Sequence, residues 1–277
     1  AVAGNFVYVA NGFGGYYANL HIIDVSNPAA PREVASWRTR GYALRVAVAR
    51  NFAYVTTQEH QTPEESGLGI YDVSDPAAPR WMSFYDTPWD PWNVTVAGNF
   101  AYVTDEDGAC LHIIDVSNPA APREVGCYYT PGGVGGVAVA GNFAYVSAGE
   151  AGLRILNVSN PAAPREVGFY DPPGGVVGVA VAGNFAYVSV GYSSLRIINV
   201  ANPAVPREVG FYNYPWHYLG LGDVAVAGNF AYVYLTAGEG GLIILRFTGM
   251  VTPTPTRTPT RTPTHTPTRT PTPTPPP

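Results

Sequence analysis

Lysine is missing from this 277-residue chain, and all 15 basic residues are arginine. A GC-rich coding sequence accounts for that bias without any functional cause. Cysteine is nearly missing too. The two that occur exclude a multi-bridge scaffold, and neither stands with histidine at zinc-finger spacing. No metal and no cofactor is expected. No apolar run approaches the roughly 18–20 residues of a membrane span. No stretch free of glycine and proline has helical spacing and the length of an ordinary helix. Nothing at the start reads as a secretory leader, and a secreted chain already cleaved would look like this. Basic charge is scarce: 20 acids against 15 arginines give −5. All the acids precede residue 251, where only 12 arginines oppose them, so that region carries −8 and the remainder +3. An acidic body excludes a nucleic-acid partner, which needs a basic face to neutralise phosphates.

What the chain has in abundance is repetition. "VAVAGNFAYVS" at 137–147 returns unchanged at 179–189, and looser copies bring the number to six. Their turn pairs fall at Gly4-Asn5, Arg50-Asn51, Gly98-Asn99, Gly141-Asn142, Gly183-Asn184 and Gly228-Asn229, 42 to 48 residues apart. That period belongs to propeller blades and other repeat folds. Each copy holds four short runs with period-2 alternation, in the fourth "VAVA", "FAYVS", "LRILNV" and "REVGFY". Gly-Asn joins the first two as a tight hairpin, because glycine takes positive φ freely. Arg50 breaks that rule, so a different turn is expected there. "SNPAAP" separates the last two runs, its prolines blocking further pairing. The prediction is an all-β, six-bladed β-propeller of four-stranded antiparallel blades over residues 1–250. Within each second run Phe and Tyr share one face, as Phe143 and Tyr145 do, while Ala144 and Val146 share the other. A large face against the small face of the next blade would interdigitate.

"GNFAYV" followed by "LHIIDVSNPAAPREVG" (111–126) resembles the LVIVD-repeat β-propellers of bacterial and archaeal surface proteins, over residues 1 to about 247. The resemblance implies the fold and a place at the cell surface, and names no ligand. Two departures stand out. The chain begins inside a first run, "AVAG", and the sixth copy stops at "LIILRF" with no "PREVGFY" strand. Either residues outside this sequence supply that strand or the sixth blade keeps an open edge.

Residues 251–277 are a separate low-complexity tail, expected to extend as polyproline II over on the order of 80 Å. Its threonines, Thr252, Thr254, Thr256, Thr258, Thr260, Thr262, Thr264, Thr266, Thr268, Thr270, Thr272 and Thr274, are candidates for O-glycosylation. Cys110 and Cys127 bracket the third "SNPAAP" turn, opposite one another or one step off. They form a cross-strand disulfide or remain two buried thiols.

Variation among the copies concentrates in the loops of one face, where Tyr16, Tyr17, Trp89, Trp92, Tyr214, Trp216, His217 and Tyr218 lie. Aromatic platforms on a rigid scaffold suit a carbohydrate or a protein ligand. The competing reading has these rings capping the core. Asp24, Asp72 and Asp115 recur in a turn motif where Asn157 and Asn199 serve equally, which favours a turn over a metal site. Glu59, His60, Glu64 and Glu65 are expected in a solvated loop, and His21 and His112 at a half-exposed strand position. Asn93 and Asn157 match the N-glycosylation pattern. Arg45, Asn93, Gly136, Gly178 and Asp223 lead into the innermost runs and offer no paired general acid and base, so the expectation is that the chain is not an enzyme. Two functions remain: a surface fibre subunit that self-associates through its tail and open blade edge, or a stalk-displayed binding module.

Overall fold

The structure is a computed structural model that describes residues 1–12, 19–58, 66–105, 110–191, 194–214, 221–235 and 241–246. Six antiparallel sheets follow one another along the chain, five of four strands and the sixth of three. The fourth is typical, with Val137–Ala140, Phe143–Ser147, Leu153–Asn157 and Arg165–Tyr170 in sequence order across the sheet. The innermost strands are Val2–Ala3, Tyr42–Ala49, Pro91–Ala97, Val137–Ala140, Val176–Ala182 and Leu221–Ala227, each contacting the next blade's innermost strand through blades one to six. Among the described residues no helix is long and apolar enough to cross a membrane.

The tight hairpins carry φ near 57° at Gly4, 62° at Gly98 and 56° at Gly183. Arg50 adopts the same conformation with φ 55°, so the second blade uses the common turn after all. The Arg50 guanidinium donates to Asn99 Oδ1 at 2.9 Å on the surface of the next blade, a weak tether for a side chain held in the left-handed region. Arg50→Gly should therefore raise stability by about 0.5–1 kcal/mol, measured by urea denaturation.

A bulge that alternation alone did not indicate sits at one place in all five complete blades, between the third and outer strands. In blade three Ile113 faces Gly126 while Ile114 faces Glu124, leaving Val125 between them. The extra residue twists the outer strand.

The blades interdigitate as their faces require. Tyr102, Leu111 and Ile113 of the third blade pack on Ala144, Val146, Leu156 and Val158 of the fourth. The same arrangement joins blades one to two, two to three, four to five and five to six. Each buried Leu or Ile contributes roughly 1.5–3 kcal/mol. Among the described residues no such cluster joins the sixth blade to the first.

Polar atoms stitch the same junctions. Thr104 Oγ1 donates to the Gly135 carbonyl at 2.8 Å and accepts from the Asn93 amide at 3.1 Å. Ser189 repeats this toward Gly222 and Gly178, and Thr56 and Ser147 also donate to a carbonyl of the following blade. At the rim, Tyr85, Tyr128 and Tyr170 donate to Glu124, Glu166 and Glu208 of the following blade.

Candidate functional site

The Gly-Asn turns end the innermost strands at one face, so the strands begin at the opposite, variable-loop face. Arg45, Asn93 and Gly178 lie near their starts at matching heights, opposite Thr56, Thr104 and Ser189. Gly136 sits level with Ser147, whose amide donates to its carbonyl at 3.0 Å. Asp223 precedes Val224 as Arg45 precedes Val46, which puts all five at the mouth of the ring.

There Arg45 Nε donates to Asp223 Oδ2 at 3.2 Å, linking the second blade to the sixth. Arg45 Nη1 donates to the Leu44 carbonyl at 3.0 Å, and the guanidinium lies 5.1 Å from the Trp92 ring centroid. Both charged side chains remain about two-fifths exposed, at 38% and 43%, so the pair adds at most about 1 kcal/mol to stability. Two glycines make room for it. A Cβ on Gly136 would stand 3.4 Å from Asp223 Oδ1, and one on Gly178 would stand 2.9 Å from the Asp223 Cα. The mouth thus gathers a cation, a carboxylate and an indole, groups able to hydrogen-bond to and stack on a small polar molecule.

Of the aromatic residues expected to share this face, Trp92 joins the Arg45–Asp223 pair. Trp89 is exposed on the loop before it, where Thr87 Oγ1 donates to its carbonyl at 2.7 Å, and Tyr214 is half-buried. Tyr16, Tyr17, Trp216, His217 and Tyr218 lie outside the described residues, as do Glu59, His60, Glu64, Glu65 and the tail threonines. The pairing of Arg45 with Asp223, 178 positions apart, has no signal in the linear sequence.

His112 requires a correction. It is buried rather than half-exposed, with Nε2 2.6 Å from Asp105 Oδ2 and Nδ1 2.9 Å from Glu124 Oε2. Burial by itself lowers its pKa, but the hydrogen bonds and charges of Asp105 and Glu124 outweigh burial and raise it. Beside it Cys110 and Cys127 are bonded, their Cα atoms 6.2 Å apart. The register sets Cys127 opposite His112, two residues from Cys110, rather than opposite or one step off. These three residues bring their ligand-type atoms within 4.8 Å, yet each sulfur is bonded to the other and both imidazole nitrogens face carboxylates. Closing a loop with a sequence separation of 17 should stabilise the blade by about 3 kcal/mol. Thiol labelling of denatured, unreduced protein should find no reactive cysteine; two would remove the bridge.

The repeated turn carboxylates are engaged locally. Asp24, Asp72 and Asp115 accept from the amides of Ser26, Ser74 and Ser117 at 2.8, 2.9 and 2.9 Å, and the hydrogen bonds from these serines hold all three carboxyls below their usual pKa. Asn157 accepts from Ser159 in the same way at 2.9 Å.

A protein-family model described as the LVIVD repeat matches residues 1–39, 40–87, 90–130, 131–172, 173–214 and 221–245. No curated protein matches the chain. Solved structures share its fold at low identity. A Bacteroides fragilis protein named as a 6-phosphogluconolactonase is 12% identical with TM-score 0.73, covering 86% of this chain and 76% of that one. The periplasmic gluconolactonase of Pseudomonas aeruginosa is 12% identical with TM-score 0.67, covering 88% and 84%. A Lactobacillus plantarum protein is 13% identical with TM-score 0.69, covering 86% and 80%.

These neighbours correct the expectation that the chain is not an enzyme. Two proteins named as lactonases are built on this ring. The expectation rested on the residues that lead into the innermost runs, Arg45, Asn93, Gly136, Gly178 and Asp223, which hold no paired general acid and base; the structure adds that Arg45 and Asp223 are ion-paired.

Proposed function

This chain belongs to the LVIVD-repeat family, its six matched repeats being its six blades, and on that premise we propose that it is an extracellular surface protein that assembles into fibres. The propeller is the bead, and the Thr/Pro segment 252–274 is a glycosylated connector. One observation supports the reading: among the described residues the sixth blade ends at Gly241–Arg246 without a fourth strand, and an unpaired edge is a template for another chain. The Cys110–Cys127 bond favours an oxidising compartment. Electron microscopy of the native material tests the proposal, with fibres expected; isolated rings would overturn it. Intact mass tests the connector, since unmodified threonines would remove the glycans from this account.

The Arg45–Asp223–Trp92 mouth supports a second activity for the same bead, recognition of a sugar-derived ligand. The lactonase names of two structural neighbours make an aldonolactone the first compound to test. Calorimetry should detect binding that Arg45→Ala and Asp223→Asn weaken at least tenfold. Equal affinity in all three proteins would move the ligand elsewhere.

A further inference from the structure

Five junctions between blades are filled, and the faces that would make the sixth are both present and uncovered. In the complete junctions the forward face of a blade carries a Tyr from the second strand and a Leu and an Ile from the third. Leu153 and Ile155 are 0% exposed on this face. Their counterparts in the sixth blade by register, Leu242 and Ile244, are 60% and 57% exposed. The backward face carries four apolar positions, Ala144, Val146, Leu156 and Val158 in the fourth blade, all buried. Their counterparts in the first blade are Val7, Val9, Ile23 and Val25, and none of these is buried.

We propose that the forward face of the sixth blade docks on the backward face of the first blade of a second copy, making a head-to-tail junction of the kind found inside the propeller. The occupant follows from continuity with the five internal junctions. Every one of them sets Tyr, Leu and Ile against Ala or Val at the same registers. Leu242 and Ile244 therefore have a matching partner surface in Val9 and its neighbours. This chain carries both surfaces, in its first and last blades, and among the described residues neither covers the other. The Thr/Pro tail is a poorer occupant, because it has no large apolar side chain to enter the face. Two different patches that fit each other form a heterologous contact, which propagates as a fibre when its rotation does not close.

This inference rests on the assembling role proposed above, and the experiment separates the two. Full-length chains carrying Val9→Cys or Leu242→Cys are mixed and oxidised, and the products are read by non-reducing electrophoresis. A cross-linked dimer is expected from the mixture and a ladder from the double variant. A double variant that bridges only within the monomer would show the ring closing on itself and overturn the proposal, as would no cross-link in either. Leu242→Glu/Ile244→Glu alters two exposed side chains, so the bead should fold, which circular dichroism checks. It should shift the sedimenting population from fibre to monomer by more than tenfold. Fibres that survive this variant but dissolve on deletion after Gly249 would retain the fibre role and reject this junction. A wild-type chain that never forms fibres, beside cysteine variants that still cross-link as a dimer, would reject the role and retain the contact.

Discussion

Gly168→Ala should destabilise the propeller by about 1–3 kcal/mol, while Gly210→Ala should cost less than about 0.5 kcal/mol, although both occupy the glycine of "REVG". A Cβ on Gly168 would sit far inside van der Waals contact of the Pro203 carbonyl oxygen, and one on Gly126 would do the same to Pro161. Those carbonyls belong to the proline turn of the following blade, which presses its backbone onto the outer strand. The first two blades carry a Cβ at this register, in Ala35 and Ser83, so the following turn sits differently there and must shift here to admit one. Gly210 belongs to the fifth blade, and the sixth has no proline turn to press on it. Its Cβ would meet only Ile197 Cδ1, at 3.7 Å. The second blade shows the alternative solution, with Ser83 at this position donating Oγ to the Pro119 carbonyl at 2.5 Å. Urea denaturation of both variants decides the matter. Equal losses would mean that the glycine serves the bulge of its own blade rather than the approach of the next one.

Asp105→Asn should cost a further class of stability, about 3 kcal/mol, and should change how stability depends on pH. Asp105 is fully buried, accepts from the Cys110 amide at 3.1 Å and faces His112 Nε2 at 2.6 Å. With the carboxylate gone, an imidazolium is left in the core with only Glu124 to balance it. The sign follows from the raised pKa of His112. A group whose pKa is higher folded than unfolded contributes all its stability below the unfolded value, about 6.5, and loses it as pH rises through the folded one. Stability of the native chain should thus decline as pH rises from about 6.5 through the raised folded pKa of His112. In Asp105→Asn one of the groups opposing burial is lost, so that slope should flatten. Denaturation midpoints between about pH 5 and pH 9 report both effects. An unchanged slope would place the titrating group elsewhere.

Both predictions depend on features with uneven traces in the sequence. The Tyr, Leu and Ile face and the Ala and Val face were legible because strand periodicity separates them at every repeat. The glycine of "REVG" was visible as a letter but not as a contact, since the carbonyl that needs it lies in the next blade. The bulge left no mark in the alternation, and it is what carries Cys127 opposite His112. The burial of His112 was also hidden. Its slot holds Arg154 and Arg196 elsewhere, and Asp105 comes from the end of a different strand. At the mouth the repeat register placed Arg45 and Asp223 at the entry of their innermost strands, but their ion pair across 178 positions left no trace in the sequence.

By itself the amino-acid sequence determined the number of blades, the order of their strands, the faces that interdigitate and the incomplete sixth blade. These follow from a short repeating unit, because hairpin turns and period-2 alternation act over a few residues. Tertiary structure alone decided which groups pair across the mouth, which glycines yield to a neighbouring backbone, how His112 is charged and which apolar faces stay uncovered. Each of these depends on distances between blades, and those distances are set by how whole sheets pack around the ring.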